Sequence, residues 1–137
     1  MKFFTNIRVR FSDLDAMGHV NNAVYFNYTE EARIDYFNKI IGQRHDWKKF
    51  GVLLVHNEIN YLRPVHLGDE LQCGIKTEKI GNKSIHCSFA FRVKTGADSY
   101  TTCSTGNFTL VCFDNVAQKT APMPAEWKKK FESFEKV

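Results

Sequence analysis

The sequence predicts an α+β domain in which one antiparallel sheet packs against one long helix. A segment with the roughly 3.6-residue apolar period of a helix lies near the N-terminus, and segments with the two-residue period of strands fill most of the remaining chain. Short connections containing glycine separate these strands, and such connections join antiparallel neighbours. With 137 residues, the chain is expected to form a single domain that covers residues 1–137.

The first predicted strand is Ile7–Phe11, because Ile7, Val9 and Phe11 alternate with polar residues. The segment Ser12–Asn22 comes next and is rich in Asp, Asn and Gly, which favour turns through side-chain to backbone hydrogen bonds and tolerance of positive φ angles. A polar loop is therefore expected between the first strand and the next element.

A helix of about five turns is predicted from Asn22 to Ile41, with Gly42 as its C-terminal stop. Apolar and small residues recur along it at steps of three and four, and they are Tyr25, Thr29, Ala32, Tyr36 and Ile40. Because Glu30, Glu31 and Arg33 lie off this stripe, the helix is amphipathic. We expect the stripe to be buried against the sheet.

Four more strands complete the predicted sheet, and they are Leu53–Arg63, Glu70–Ile80, Ser84–Lys94 and Tyr100–Phe113. Gly81-Asn82 predicts a tight hairpin between two of them, and Gly96–Asp98 predicts another. Gly106 lies inside the last strand, where an isolated glycine suggests a bulge. The tail beyond Pro124 is expected to form a short helix. A sheet of five strands curved around the long helix is the compact solution for these elements.

Composition and charge argue against several classes of function. The net charge of +4 is only mildly basic, and no helix-turn-helix, zinc-finger or RNA-reading pattern is present, so nucleic acid is not expected as a partner. No apolar run approaches the roughly 20 residues of a membrane-spanning helix, and the N-terminus lacks a signal-peptide pattern. The four cysteines fall in strand-like segments without a CxxC spacing, which predicts reduced, buried thiols in a cytoplasmic protein.

The segment DLDAMGHVNN, Asp13–Asn22, carries the residues best suited to chemistry. Its D-x-D-x-x-G opening is typical of a calcium loop, but Met17 and Val24 occupy positions that need oxygen ligands, so no metal is expected. A structural role is also open, because Asp and Asn residues before a helix commonly accept hydrogen bonds from its first N–H groups.

A catalytic role for this segment is the third interpretation. A carboxylate at the N-terminus of a helix lies in a field that favours anions. If the carbonyl of an acyl thioester lay there, an Asp could attack it or activate a water, while backbone N–H groups stabilise the oxyanion. The sequence offers no G-x-S-x-G elbow and no Ser-His-Asp or Cys-His arrangement that would compete.

Two stretches of the chain resemble a known family. The stretch VRFSDLDAMGHVNNAVYFNYTEEARIDYF, Val9–Phe37, is similar to the hotdog-fold acyl-CoA thioesterases of the 4-hydroxybenzoyl-CoA thioesterase type, and NEINYLRPVHLGDELQC, Asn57–Cys73, is similar to that family's central strands. The resemblance implies a five-stranded antiparallel sheet wrapped around one long central helix. It also implies hydrolysis of an acyl group from coenzyme A or acyl carrier protein, no cofactor beyond the coenzyme A of the substrate, and a homodimer or homotetramer with active sites at the dimer interface.

The resemblance further implies which residues act. The second Asp of the family's D-x-D motif is the nucleophile or general base and corresponds to Asp15, whereas Asp13 is expected to hold the turn. Several members carry His or Tyr seven residues further on, where this chain has Asn22, which can orient a water or the thioester carbonyl. The H-V-N-N form is similar to the fatty-acyl branch, so a role in fatty acid metabolism is expected. Gly51 matches a glycine whose amide polarises the carbonyl.

Two alternative functions remain open at this point. A hotdog enoyl-CoA hydratase carries a motif close to D-x-N-P-x-H, but here His19 lies four residues after Asp15 and no Pro intervenes. A non-catalytic acyl-CoA-binding module is favoured only by Asn22, which replaces a His or Tyr. Basic residues that could meet the phosphates of coenzyme A are Arg63, Lys79, Lys83 and Arg92, although a solvated strand edge is the plainer explanation of each.

Overall fold

The computed structural model describes residues 1–136 and contains six strands and two α-helices. In chain order the elements are β1 Phe3–Ile7, α1 Val24–Ile40, β2 Phe50–Tyr61, β3 Leu71–Ile80, β4 Ser84–Lys94, β5 Tyr100–Asp114, β6 Lys119–Thr120 and α2 Ala125–Glu135. The four later strands and both helices therefore lie within a few residues of their predicted positions.

All strands belong to one antiparallel sheet with the order β1-β3-β4-β5-β2, and β6 pairs with the end of β5. The predicted α+β class, with five main strands and one long helix, is confirmed. The sixth strand was not predicted, because a two-residue strand is too short to show an alternating pattern.

The helix α1 covers the inner face of the sheet and packs most closely on β1 and β3. Its predicted stripe is confirmed at four of five positions, since Tyr25, Thr29, Ala32 and Tyr36 are buried whereas Ile40 is half-buried. Large side chains from the middle of the sheet fill the core beneath α1, and they include Phe89, Phe91, Phe108 and Leu110. Because α1 sits toward the β1 side, the inner face of β2 stays partly open.

The helix α2 covers the C-terminal end of α1 and the edge of β3. It buries Trp127 and Phe131 against the core. The carboxylate of Glu135 accepts a hydrogen bond of 2.6 Å from the backbone N–H of Thr77. The predicted C-terminal helix is thus part of the folded domain.

The prediction for the first strand was wrong. The strand β1 spans Phe3–Ile7 and pairs with Leu71–Ile75, whereas Phe11 lies in a short 3-10 turn and is 80% exposed. The chain leaves the sheet after Ile7 because the backbone N–H of Arg10 donates to the carboxylate of Asp13 instead of to a strand.

The predicted bulge at Gly106 was also wrong. Gly106 pairs regularly with Ile59 and Phe89, and the register shifts lie elsewhere, at Leu54/His56, Thr77/Lys79 and Phe91/Arg92. A Cβ atom at position 106 would overlap the ring of Phe89 and the backbone carbonyl of Glu58. The glycine therefore makes room for a core phenylalanine.

We expect Gly106→Ala to lower the free energy of unfolding by about 2 kcal/mol, because a methyl group has no space at this point of the core. Urea unfolding followed by circular dichroism measures the change. Gly96→Ala is the matched control, since a Cβ there meets only Ser99 at 3.5 Å. A Gly106→Ala protein as stable as the Gly96→Ala control would contradict the close packing.

The four cysteines are buried free thiols on β3, β4 and β5, as predicted. Burial raises the pKa of Cys87 to about 12 and that of Cys112 to about 11, so both thiols stay protonated near neutral pH and are poor nucleophiles. Within residues 1–136, neither helix combines the length and the apolar character needed to cross a bilayer.

Candidate active site

A tight loop before the N-terminus of α1 holds Asp15. The backbone N–H of Asp15 donates to the carbonyl of His19 at 2.8 Å, and the N–H of Gly18 donates back to the carbonyl of Asp15 at 3.1 Å. Gly18 has a φ of +80°, a conformation that a glycine adopts without strain. Val20 anchors the loop, because it is buried and its N–H donates to the carbonyl of Val65 at 2.9 Å.

Asp13 is a structural residue, as predicted. Its side chain is only 3% exposed and accepts hydrogen bonds from the hydroxyl of Tyr28 at 2.6 Å, the N–H of Arg10 at 3.0 Å and the Arg10 guanidinium at 3.1 Å. Burial alone would raise the pKa of Asp13, but the hydrogen bonds from Tyr28 and Arg10 outweigh it and hold that pKa below its usual value. The carboxylate thus fastens the loop to α1.

Asp15 has a different environment. Its side chain is exposed, and Oδ1 accepts from the backbone N–H groups of Met17 at 2.9 Å and His19 at 3.4 Å. Among residues 1–136, no group donates a hydrogen bond to Oδ2. The carboxylate does not cap α1, whose first turn donates no hydrogen bond to a capping side chain among the described residues. The amide of Ala23, just before the helix, donates to Oδ1 of Asn21 at 2.9 Å. One oxygen of Asp15 is therefore held by backbone N–H groups, and the other accepts no hydrogen bond from residues 1–136.

Asp15 and Asn22 line the same cavity, which has a volume of about 230 Å³. It lies between the start of α1 and the end of β2, and its other lining residues are His19, Val20, Tyr25, Tyr61, Leu62, Arg63 and Pro64. The hydroxyl of Tyr61 donates to the backbone carbonyl of Asn22 at 2.8 Å, which ties the end of β2 to the start of α1. Two of the three predicted site residues are thus brought together.

Gly51 is not brought to this cavity within one chain. It lies at the start of β2, beside Trp47, and pairs with Phe113. Tyr61 is ten residues further along the same strand, which corresponds to about 33 Å at about 3.3 Å per residue. A role for Gly51 beside Asp15 would require a second protomer.

A second, more apolar cavity of about 410 Å³ lies between the C-terminal half of α1 and the start of β2. It is lined by Glu30, Arg33, Ile34, Phe37, Asn38, Trp47, Val52 and Leu110. Both cavities lie between α1 and β2, and they share no lining residue. We call the space between these two elements the α1–β2 groove. Along α1 the step from Asn22 to Ile34 corresponds to about 18 Å.

Sequence reasoning missed the aromatic wall of the Asp15 cavity. Tyr25 contacts Tyr61 with ring centroids 5.2 Å apart, and burial raises the pKa of Tyr25 to about 12, so its phenol stays protonated near neutral pH. The pattern of α1 placed Tyr25 in the core stripe, and nothing in that pattern separates a core tyrosine from one that also lines a cavity. His19 lines the same cavity, and its ring packs on His66 with centroids 4.9 Å apart.

The described part of the chain offers no arrangement of side chains suited to a metal ion. No group of three or more His, Cys, Asp or Glu side chains is placed to hold an ion in residues 1–136. His56 and Glu58 approach to 3.6 Å on the outer face of β2, but both are exposed and form only a pair.

An antiparallel sheet around a long helix, with a carboxylate loop leading into that helix, defines the hotdog fold predicted from the sequence. Residues 9–131 match the thioesterase-like superfamily, and the chain belongs to this family. This confirms the family resemblance at the level of the superfamily.

Three relatives illustrate the similarity. Long-chain acyl-CoA thioesterase FadM of Escherichia coli is 30% identical over 135 residues, which cover 96% of this chain and 98% of FadM. YsmA of Bacillus subtilis, an uncharacterized protein, is 37% identical over 83 residues, which cover 61% of this chain and 56% of YsmA. A thioesterase of Thermus thermophilus, solved with coenzyme A and Zn, is 31% identical with a TM-score of 0.79, and the match covers 96% of this chain and 93% of that one.

Proposed function

We propose that this protein hydrolyses acyl thioesters to a free acid and a thiol, with Asp15 as nucleophile or general base. The observation that carries the proposal is the free Oδ2 of Asp15 at a cavity beside the N-terminus of α1. Membership of a family that contains an acyl-CoA thioesterase supports the same reaction.

The geometry supports attack on the carbonyl of a bound thioester. The N–H groups of Met17 and His19 hold the carboxylate of Asp15 in one orientation, which favours attack on a bound carbonyl or on a water. Charge that develops on the carbonyl oxygen lies near the first turn of α1, whose N–H groups favour anions. Asn22 shares the cavity and has an amide suited to orienting the carbonyl or a water.

The shape of the α1–β2 groove supports an aliphatic substrate. An acyl chain that starts at Asp15 and runs along the groove would end in the apolar cavity beside Trp47 and Val52. A groove of this length suits a long alkyl chain better than a single aromatic ring, so we favour a fatty acyl substrate over a 4-hydroxybenzoyl one. Arg63 lines the mouth of the Asp15 cavity, where it would meet a phosphate of coenzyme A or an acidic carrier protein.

The test is hydrolysis of acyl-CoAs of graded length, measured by the release of free thiol. We expect kcat/KM to rise with the length of the acyl chain until the groove is filled, because each buried methylene adds roughly 0.8 kcal/mol to the free energy of binding. Tight binding of acyl-CoA without thiol release would favour the non-catalytic module. Hydration of crotonyl-CoA without thiol release would favour the hydratase.

We also propose that the active form is at least a dimer paired through β2. This strand forms an edge of the sheet and exposes Leu53, Leu54 and Val55, the last to 59%. A long apolar edge strand is a liability unless another strand covers it. If two β2 strands paired antiparallel about their midpoints, Gly51 of one protomer would lie close to the end of β2 in the other. Gly51 would then contribute to the site as the family resemblance implies.

We expect Val55→Lys to convert a dimer into monomers, because it places a charge in the middle of the exposed edge. Light scattering coupled to size-exclusion chromatography measures the mass. Val116→Lys is the matched control, since Val116 is 77% exposed in the turn after β5. A wild-type protein that stays monomeric at micromolar concentration would contradict the pairing and leave Gly51 without a role.

A further inference from the structure

Two buried polar atoms, one on α1 and one on β2, lack hydrogen-bond partners among residues 1–136. They are Nη1 of Arg33 on α1 and Oδ1 of Asn57 on β2. An unsatisfied polar atom in the interior is costly, so a native protein rarely keeps one without a reason. Two such atoms, one a donor and one an acceptor, point to a common partner.

The side chains of Arg33 and Asn57 both lie beside Phe108. The guanidinium carbon of Arg33 lies 5.3 Å from the centre of the Phe108 ring. Asn57 pairs with Phe108 across the β2–β5 ladder, which puts the two Cβ atoms about 5 Å apart on the inner face. Arg33 and Asn57 therefore both lie beside Phe108 on the inner face of the sheet, and Arg33 also lines the larger cavity.

The guanidinium of Arg33 is an unusual group for this position. Burial lowers the pKa of the half-buried Arg33, and the charge of Glu30 in the same cavity opposes that shift, although no carboxylate among residues 1–136 lies within ion-pair distance of Arg33. A half-buried cation without an ion pair gains from any oxygen that accepts a hydrogen bond from it. The remaining walls of the neighbouring cavity are largely apolar.

We propose that Arg33 and Asn57 form a specificity site for a hydroxyl group on the acyl chain of the substrate. This inference rests on the proposed thioesterase function. A hydroxyl oxygen accepts a hydrogen bond from Arg33 Nη1, and its proton is donated to Asn57 Oδ1, so one group satisfies both atoms. An oxo group would satisfy only Arg33, and a plain methylene would satisfy neither.

The position of the pair places the hydroxyl in the middle of the chain. Asn57 precedes Tyr61 by four residues on β2, which corresponds to about 13 Å from the wall of the Asp15 cavity. A hydroxyl next to the thioester would stay near Asp15 and could not reach the pair. The preference is therefore expected to peak at one position along the chain.

The experiment compares acyl-CoAs of one chain length in which the hydroxyl is moved along the chain, with the unsubstituted and oxo chains as references. We expect kcat/KM to be about tenfold higher for the best hydroxyl isomer than for the unsubstituted chain, and intermediate for the oxo chain. Asn57→Leu is expected to remove the advantage of the hydroxyl over the oxo chain. Asn60→Leu, on the exposed outer face of β2, is the matched control and is expected to keep it.

Three results would overturn the inference. Equal kcat/KM for plain and hydroxylated chains at every position would show that the pair does not recognise a hydroxyl, while the thioesterase proposal would stand. An Asn57→Leu protein with a changed mass in solution and an unchanged hydroxyl preference would assign Asn57 to subunit contact. If no acyl-CoA is hydrolysed, the proposed function fails. Calorimetric binding then tests the pair separately, and equal affinities for plain and hydroxylated acyl-CoA would overturn it too.

Discussion

Asp15→Asn is expected to lower kcat for acyl-CoA hydrolysis by roughly a thousandfold, with a much smaller change in KM. The substitution keeps a side-chain oxygen that can accept from Met17, so the loop is expected to hold its shape. It removes the negative charge, without which the side chain can neither attack a carbonyl nor take a proton from water. Initial rates of thiol release from a long-chain acyl-CoA measure the loss.

The matched control for this experiment is Asp35→Asn. Asp35 is an exposed carboxylate further along α1 that accepts a hydrogen bond from Thr5 at 2.6 Å, outside both cavities. The kcat of the Asp35→Asn enzyme is expected to stay within about twofold of the wild-type value. Thermal unfolding of both variants shows whether a lost rate reflects lost fold. An Asp15→Asn enzyme with a kcat within about tenfold of the wild-type value would remove Asp15 from the mechanism.

The regular elements that the sequence predicted well are those in which local pattern and tertiary burial coincide. In β4, every second residue from Ile85 to Phe91 is buried, and the strand spans Ser84–Lys94 as predicted. In β1, only Phe3 and Ile7 are buried, which is a step of four and gives no alternating pattern. That strand exists because it pairs with β3, a contact between segments far apart in the sequence that no local pattern contains.

The residue pattern alone predicted the candidate site only as a segment. The residues Asp13–Asn22 were identified from their composition, and the family resemblance supplied the different roles expected of the two aspartates. The contact that separates Asp13 from Asp15 in the structure is made by Tyr28, which reaches Asp13 from the second turn of α1. The α1–β2 groove depends on how far α1 stands from β2 in the fold, which the periodicity of neither element reveals. The position of Arg33 was also not predictable from the helical pattern. Arg33 lies off the apolar stripe, yet its long side chain extends over Phe108.

Asp13→Asn is expected to lower the free energy of unfolding by about 3 kcal/mol at neutral pH. The amide cannot accept all of the hydrogen bonds that the carboxylate receives from Tyr28 and Arg10, and the buried hydroxyl of Tyr28 is the costliest to leave without a partner. Urea unfolding at a series of pH values measures the difference from the wild type. Asp98→Asn, in the exposed turn between β4 and β5, is the matched control.

The pH dependence gives this prediction a second, independent readout. Because the pKa of Asp13 is lower in the folded protein than in the unfolded chain, the ionised carboxylate stabilises the fold above the unfolded value of about 3.9. That contribution is lost as the pH falls through the folded pKa. The stability difference between wild type and Asp13→Asn should therefore be constant from neutral pH down to about pH 5 and shrink below about pH 4. A difference that is independent of pH would mean that the charge of Asp13 does not hold the loop to α1.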